Sequence, residues 1–229
     1  MKNFAIIPAR GGSKRIPRKN VRLLAGQPAI SYPIEIALNS KLFERVVVTT
    51  EDEEIASIAV EYGAEVPFTR SLELSNDYAT TVDVIADAVQ KLELRDSDLI
   101  CCIYPVTPLL TIERLIQAQK ILESGTWDYV FPACEYTTPI ERAFRKDSSG
   151  KINFLSPRFV LTRTQDIEKS FYDAGQFYFG NASSWRRKIP ILSGNSTFIE
   201  LEKNETLDID ELEDWELLEN ILRIRTSKS

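Results

Sequence analysis

The strongest constraint on the fold of this chain is a repeated alternation of short apolar runs with segments of helical spacing. Residues 4–7 (FAII) and 45–50 (RVVVTT) are two such runs, and apolar residues recur at helical spacing between them, at Ile30, Ile34 and Leu38. A strand buried on both faces is apolar throughout and is followed by a crossover helix. The pattern therefore predicts an α/β fold built on a mostly parallel sheet.

The alternation continues along most of the chain. Further helices are predicted at 53–62, 80–94 and 111–122, further strands at 98–104 and 129–133, a returning strand at 175–180 and a closing helix around Trp215. Residues 135–173 lose the alternation and contain a DSSGK turn. We therefore expect one main domain, formed by 1–134 and 174–229, with 135–173 inserted as a small subdomain.

Charge and composition exclude several classes of protein. The chain has 229 residues, 43% of them hydrophobic, with a formal charge of −6 and a pI near 5.0. Binding to nucleic acid or to an anionic membrane needs a dominant cationic surface, so we expect neither partner. No apolar run approaches the roughly 20 residues of a membrane span, and no apolar signal region opens the sequence. Three cysteines without metal-ligand spacing predict reduced thiols and a cytoplasmic location.

The sequence contains no histidine. This excludes Ser-His and Cys-His nucleophilic pairs and imidazole metal ligands. Any chemistry must therefore use carboxylates, lysine, arginine, backbone amides and oxygen-bound metal ions.

Positive charge is concentrated in one segment of this acidic chain, which we call the basic loop. Residues 8–20 (PARGGSKRIPRKN) follow the first predicted strand and contain five cations and two adjacent glycines. Glycines let backbone N–H groups approach an anion, and ligands of parallel sheets bind at the carboxyl ends of strands. The segment is neither a Walker A loop nor a dinucleotide-binding glycine pattern. A phosphate site is the favoured interpretation, while a solvated loop and an RNA contact stay open.

The stretch IIPARGGSKRIPRKN, followed by AGQPAISYPIEIAL, resembles the opening of the nonulosonate cytidylyltransferases. These enzymes use CTP to activate sialic-acid-type sugars as CMP-sugars. The resemblance extends from residue 4 to about residue 224 and is weakest at 135–162. It implies a Rossmann-like sheet of the nucleotide-diphospho-sugar transferase type, with 135–173 as a small dimerisation and substrate subdomain. It also implies a homodimer, because in the family the small domain of one subunit reaches the site of the other.

The resemblance assigns nucleotide contacts to the basic loop and to residues 66–81 (VPFTRSLELSNDYATT). In the basic loop it puts Arg10 and Lys14 on the phosphates. In the second segment the residues alone predict Asp77 as the N-cap of the following helix, a role that a ligand contact does not exclude. The implied nucleotide-binding residues are Ala9, Arg10, Gly11, Gly12, Ser13, Lys14, Lys19, Asn20, Arg70, Asp77, Thr80 and Thr81.

Three further segments bear on the sugar. CCIYPVTPL (101–109) resembles a strand end at which sialate enzymes carry glutamine, and Tyr104 in that place disfavours sialic acid, although simple packing also explains a tyrosine there. YDAGQFYFG (172–180) resembles a run of the branch that activates pseudaminic acid, although a buried edge strand also fits it. In FVLTRTQD (159–166), the resemblance puts Arg163 and Gln165 at substrate-facing positions of the smaller domain. The implied sugar-binding residues are Tyr104, Arg163, Gln165, Asp173 and Gln176.

Two carboxylates near the C-terminal end suggest a metal site. In LDIDELEDW (207–215), Asp208 and Asp210 are two residues apart, so in an extended segment both point to one side. Mg²⁺ prefers oxygen ligands and shares them with substrate phosphates. Local sequence favours Asp210 as the N-cap of a final helix, whereas the resemblance favours a metal pair. The resemblance makes Arg10, Lys14, Asp208 and Asp210 the predicted catalytic residues and Mg²⁺ the predicted cofactor.

Taken with the resemblance, these features predict a cytidylyltransferase that joins CMP from CTP to a nine-carbon nonulosonic acid, with pseudaminic acid favoured, for bacterial surface glycans. The anomeric hydroxyl of the sugar would attack the α-phosphorus and expel pyrophosphate without a covalent protein intermediate. The alternatives are a CMP-N-acetylneuraminate or CMP-legionaminate synthetase, a CTP-binding regulator without turnover, and an RNA-binding module.

Overall fold

The computed structural model describes residues 1–226 and has the predicted α/β architecture. The helices are α1 (Ser31–Ser40), α2 (Glu53–Glu61), α3 (Thr81–Lys91), α4 (Ile112–Ser124), α5 (Ala182–Arg186) and α6 (Leu212–Thr226). The strands are β1 (Asn3–Pro8), β2 (Leu23–Leu24), β3 (Gln27–Pro28), β4 (Arg45–Thr49), β5 (Leu99–Ile103), β6 (Tyr129–Glu135), β7 (Phe144–Lys146), β8 (Ile152–Phe154), β9 (Phe171–Asp173), β10 (Phe177–Asn181) and β11 (Ser196–Glu200).

The main sheet of the described chain has the strand order β11-β6-β10-β5-β1-β4, with β9 paired to β6. β1 pairs in parallel with β4 and β5, and β11 pairs in parallel with β6. β10 is antiparallel to both of its neighbours, β5 and β6, and β9 is likewise antiparallel to β6. The sheet is therefore mixed, with a mostly parallel core, and the carboxyl ends of β1, β4 and β5 meet at one edge.

Both faces of the sheet are covered, as the apolar strands predict. Alternate residues of β1 enter different cores: Ala5 and Ile7 face the helices α1, α2 and α4, whereas Phe4 and Ile6 face α3 and α5. The second face includes Trp185, which is fully buried. Successive side chains of a strand point to opposite faces, so those of β1 pack alternately against the two layers of helix.

A third, smaller core joins the basic loop to the end of the chain. Ile16 of the basic loop packs with Ile209 and with Trp215 and Leu218 of α6. These four side chains are buried. Because this cluster joins Ile16 to Ile209, the segment that contains Asp208 lies beside the basic loop.

Asp77 is not the N-cap of α3, so that prediction was wrong. Thr80 caps the helix: its hydroxyl accepts the Asp83 N–H at 3.2 Å, and the Asp83 carboxylate accepts the Thr80 N–H at 3.4 Å. This reciprocal capping box needs a carboxylate three residues after the cap. Thr80 is followed at that distance by Asp83, whereas Asp77 is followed by Thr80. At the final helix, Asp214 accepts the N–H groups of Asp210 and Glu211 at 2.9 and 2.8 Å.

The inserted segment (135–173) contains the hairpin β7-β8, three short 3₁₀ turns and β9, which returns to the main sheet. Asp147 organises the DSSGK turn of the hairpin by accepting the N–H groups of Ser149 and Lys151 at 2.9 and 3.0 Å. Treating this segment as a separate subdomain stays a prediction. Among the helices described, none has the length and apolar character to cross a membrane.

Candidate active site

A cleft of about 630 Å³ lies at the carboxyl ends of β1 and β5, where the sequence predicts a ligand site. Segments far apart in the chain line it, including the basic loop and the turn after β5. Twelve of the predicted site residues are among its lining: Arg10, Ser13, Lys14, Lys19, Asn20, Arg70, Asp77, Thr81, Tyr104, Gln176, Asp208 and Asp210.

The other predicted residues lie outside the lining. They are Ala9, Gly11, Gly12, Thr80, Asp173, Arg163 and Gln165. Ala9 and Gly11 shape the backbone beneath the cleft, and Asp173 accepts the Tyr178 hydroxyl at 2.7 Å from behind it. Arg163 and Gln165 are exposed on the inserted segment.

The residues that follow β4 fix the start of the basic loop. Gly11 N–H donates to Oε1 of Glu51 at 2.8 Å, and the Arg70 guanidinium donates to Oε2 of Glu51 at 2.7 Å and to the Ala9 carbonyl at 3.0 Å. Burial raises the pKa of Glu51, but the N–H group and the guanidinium outweigh it, so the pKa lies below its ordinary value. Glu51 was not among the site residues predicted from the sequence. Its position just after β4, a strand that pairs with β1, is the signal that could have identified it.

Gly11 is required by close packing. A Cβ on Gly11 would overlap Oδ2 of Asp52 and stand 3.2 Å from Nη1 of Arg18. Arg18 binds both carboxylate oxygens of Asp52, at 2.5 and 3.0 Å, and lowers the pKa of that carboxyl. Gly12 differs, because a Cβ there meets nothing within 4 Å. Packing therefore requires glycine at position 11 but not at position 12.

Two cations of the basic loop converge on one acid across the cleft. Arg10 Nη1 and Lys14 Nζ donate to the two carboxylate oxygens of Asp77 at 2.7 and 2.5 Å. The two ion pairs lower the pKa of Asp77, the Lys14 contact more strongly. Because all three side chains are substantially exposed, a polyanion can reach the cations from solvent.

The acidic pair lies in another part of the lining, residues 207–210, which we call the acidic segment. Lys19 Nζ donates to the carbonyl of Ile209 at 2.5 Å, between Asp208 and Asp210, and Arg15 pairs with Asp210. Burial lowers the pKa of Lys19 although both aspartates oppose that shift. Lysine and arginine thus balance the charge of the acidic segment.

The acidic pair suits Mg²⁺ by the chemistry of its donors. Within residues 1–226 no group of three or more acidic, cysteine or histidine side chains forms a metal cage. Mg²⁺ commonly uses one or two carboxylates and takes its remaining ligands from water and substrate phosphates. Asp208 and Asp210, which both line an open cleft, match that requirement.

An aromatic wall closes the cleft near β5. The Tyr104 hydroxyl lies 3.0 Å from the Thr81 hydroxyl, and the Tyr104 ring packs edge-on against Tyr178. Behind Thr81 lies a second hollow of about 550 Å³, lined largely by apolar side chains such as Ile191. Gln176 connects this wall to the chain just before the acidic segment. Its backbone carbonyl accepts the Tyr104 N–H at 2.8 Å, and its side-chain amide donates to the backbone carbonyl of Glu205 at 2.6 Å.

Known proteins are similar in sequence to nearly the whole of this chain. A pseudaminic acid cytidylyltransferase of Campylobacter jejuni serotype O:2 is 40% identical over 226 residues, which cover 98% of this chain and 97% of that protein. The CMP-N,N'-diacetyllegionaminic acid synthase of Legionella pneumophila is 32% identical, with 98% and 97% covered.

Among solved structures, the CMP:2-keto-3-deoxy-manno-octonic acid synthetase complexed with CTP has a similar fold. Its TM-score is 0.74 at 16% identity, and the match covers 98% of this chain and 100% of that one. The sequence profile of the cytidylyltransferase family matches residues 4–181. The chain therefore belongs to the cytidylyltransferase family, as the motif that follows its first strand predicts.

Proposed function

We propose that this chain transfers CMP from CTP to a nonulosonic acid, most specifically pseudaminic acid, and releases pyrophosphate. The observation that carries the proposal is the near full-length similarity to pseudaminic acid cytidylyltransferases, combined with a cleft that gathers the matching segments. Similarity to named enzymes along the whole chain argues against a CTP-binding regulator and against an RNA-binding module.

The basic loop supplies the charge that a triphosphate requires. Arg10 and Lys14 reach into the cleft and would move from Asp77 to the phosphates, where they neutralise the charge that builds up on the leaving pyrophosphate. Asn20 holds the loop from beneath, since its amide donates to the Arg10 carbonyl at 2.9 Å. Binding and orientation of the triphosphate by these groups would lower the barrier of the transfer.

The acidic segment would hold Mg²⁺ through Asp208 and Asp210. When bound, the ion would lower the pKa of the attacking hydroxyl and stabilise charge on the α-phosphate. Arg15 pairs with Oδ2 of Asp210, and a carboxylate can bind a metal ion through its other oxygen. Lys19 stays on the Ile209 carbonyl and thereby keeps the two aspartates at the cleft.

The aromatic wall is the proposed contact surface for the sugar. Tyr104 presents a hydroxyl that is already oriented by Thr81, and Tyr178 supports its ring. Tyr178 is in turn oriented by Asp173, so Asp173 would act behind the wall as a positioning residue. Gln176 would act in the same way, because its side-chain amide is engaged by the Glu205 carbonyl.

A homodimer would complete the site. Arg163 and Gln165 lie on the inserted segment, which also exposes apolar side chains, with Leu161 95% and Phe144 58% exposed. Exposed apolar groups close together on one segment are typical of a surface covered by a partner. We propose that this segment contacts a second copy and brings Arg163 towards the partner's cleft. Light scattering of the purified protein tests whether it is a dimer.

The decisive experiment is a sugar panel. The protein is incubated with CTP, Mg²⁺ and either pseudaminic, legionaminic or N-acetylneuraminic acid, and pyrophosphate release is measured with CMP-sugar formation. We expect turnover with pseudaminic acid at the highest kcat/KM. Legionaminic and N-acetylneuraminic acid are the alternative substrates, because relatives named for each class are about equally identical to this chain, at 32% and 33%. Turnover with another of these acids but not with pseudaminic acid would overturn the proposed specificity, and no turnover with any of them would overturn the proposed activity.

A further inference from the structure

We infer that Glu51 is a positioning residue, which holds the basic loop in the shape that binds the triphosphate. Glu51 does not line the cleft, but its two carboxylate oxygens accept Gly11 N–H at 2.8 Å and Arg70 Nη2 at 2.7 Å. One side chain therefore connects the glycine turn of the basic loop to an arginine of the cleft. This inference rests on the proposed use of CTP.

The contacts around Glu51 form a closed ring. Arg70 also donates to the Ala9 carbonyl at 3.0 Å and to Ser75 Oγ at 3.1 Å, and only 3% of its side chain is exposed, against 16% for Glu51. The carbonyl of Ala9 and the N–H of Gly11 are thus both held from outside the loop. Fixing these two groups leaves little freedom to the peptide planes that lead into Gly12 and Lys14.

Removal of the Glu51 charge distinguishes a positioning role from a purely electrostatic one, because the two roles predict opposite changes in CTP affinity. A carboxylate beneath a phosphate loop repels the ligand, so removal of that charge would tighten CTP binding if electrostatics alone acted. A positioning role predicts the opposite sign, because Arg70 loses its counter-ion and the loop loses its anchor. A role confined to folding predicts a third result, a smaller folded fraction whose affinity for CTP is unchanged.

The test is the Glu51→Gln variant, with the Kd for CTP measured by calorimetry without sugar and the KM values measured for both substrates. Glutamine keeps the shape and an oxygen for Gly11, but its NH₂ group faces Arg70. We expect the Kd and the KM for CTP to rise at least about tenfold, with the KM for the sugar unchanged. Glu54→Gln is the matched control, because it removes the same charge from a neighbour that is 61% exposed and whose contact with the basic loop is an ion pair with the Arg18 side chain, not with Ala9 or Gly11.

An affinity for CTP within about twofold of the parent protein, or an equal loss in Glu54→Gln, would overturn the inference. If Glu51→Gln does not fold, Glu51→Asp keeps the charge but is too short for both contacts, and its CTP affinity must also fall. Hydrogen exchange in the unaltered protein is independent of any variant: a Gly11 amide that exchanges as fast as an exposed one contradicts the ring. Failure of the unaltered protein to bind CTP would instead refute the proposed function.

Discussion

Replacing Gly11 with alanine tests the packing beneath the basic loop. The added Cβ would overlap Oδ2 of Asp52, which is part of an ion pair with Arg18 and also caps α2 by accepting Ile55 N–H at 3.0 Å. Overpacking at a well-filled position costs about 1–3 kcal/mol, and loss of a helix cap costs about 1 kcal/mol. Because Asp52 can yield slightly, we expect Gly11→Ala to lower the free energy of unfolding by about 1–3 kcal/mol.

The assay is thermal unfolding followed by circular dichroism. For a chain of this size, 1 kcal/mol corresponds to about 2–4 °C, so the midpoint should fall by roughly 2–12 °C. Gly12→Ala is the matched control, since its Cβ meets nothing within 4 Å and its backbone needs no left-handed conformation. Equal destabilisation by the two substitutions, or an unchanged midpoint in Gly11→Ala, would refute the packing argument.

Three further perturbations follow from the charges of the site. Asp77→Asn removes the acid that pairs with Arg10 and Lys14, so CTP should bind about two- to tenfold more tightly in calorimetry. Weaker binding would contradict this and mean that Asp77 helps to hold the nucleotide. Asp210→Ala should abolish pyrophosphate release in Mg²⁺ while the circular dichroism spectrum stays unchanged, and a fully active variant would remove Asp210 from the proposed metal site. The Arg18 guanidinium lowers the pKa of Asp52 below its ordinary 3.8. The Asp52 carboxylate therefore stabilises the fold above about pH 4, and this stabilisation is lost as the pH falls through the lowered pKa. Urea unfolding between about pH 5 and pH 2 should therefore show a shallower acid slope in Asp52→Asn than in the unaltered protein, and parallel slopes would contradict the pairing.

The fold was predictable wherever burial fixes the periodicity. Every residue of β5 is buried, and its continuous apolar run was assigned correctly as a strand. The edge strand β11 was missed, because only Ile199 of its five residues is buried and the alternation is too weak to detect. The direction of β10 was also not predictable, since the residues of a strand buried on both faces read alike in either direction.

The site was predictable as a set of residues but not as a set of contacts. The motif around the basic loop identifies Arg10 and Lys14 as anion-binding residues, yet their ion pairs with Asp77 join positions 67 and 63 residues apart and depend on how loops meet at the sheet edge. Lys19 contacts the carbonyl of Ile209 across 190 residues, a link that no local pattern contains. These contacts show one consistent arrangement: each cation placed at the cleft is already matched by an acid or a carbonyl of the same chain. A polyanionic substrate must therefore compete with Asp77 for its cations, and its affinity measures the difference between the two sets of contacts rather than the charge of the basic loop alone.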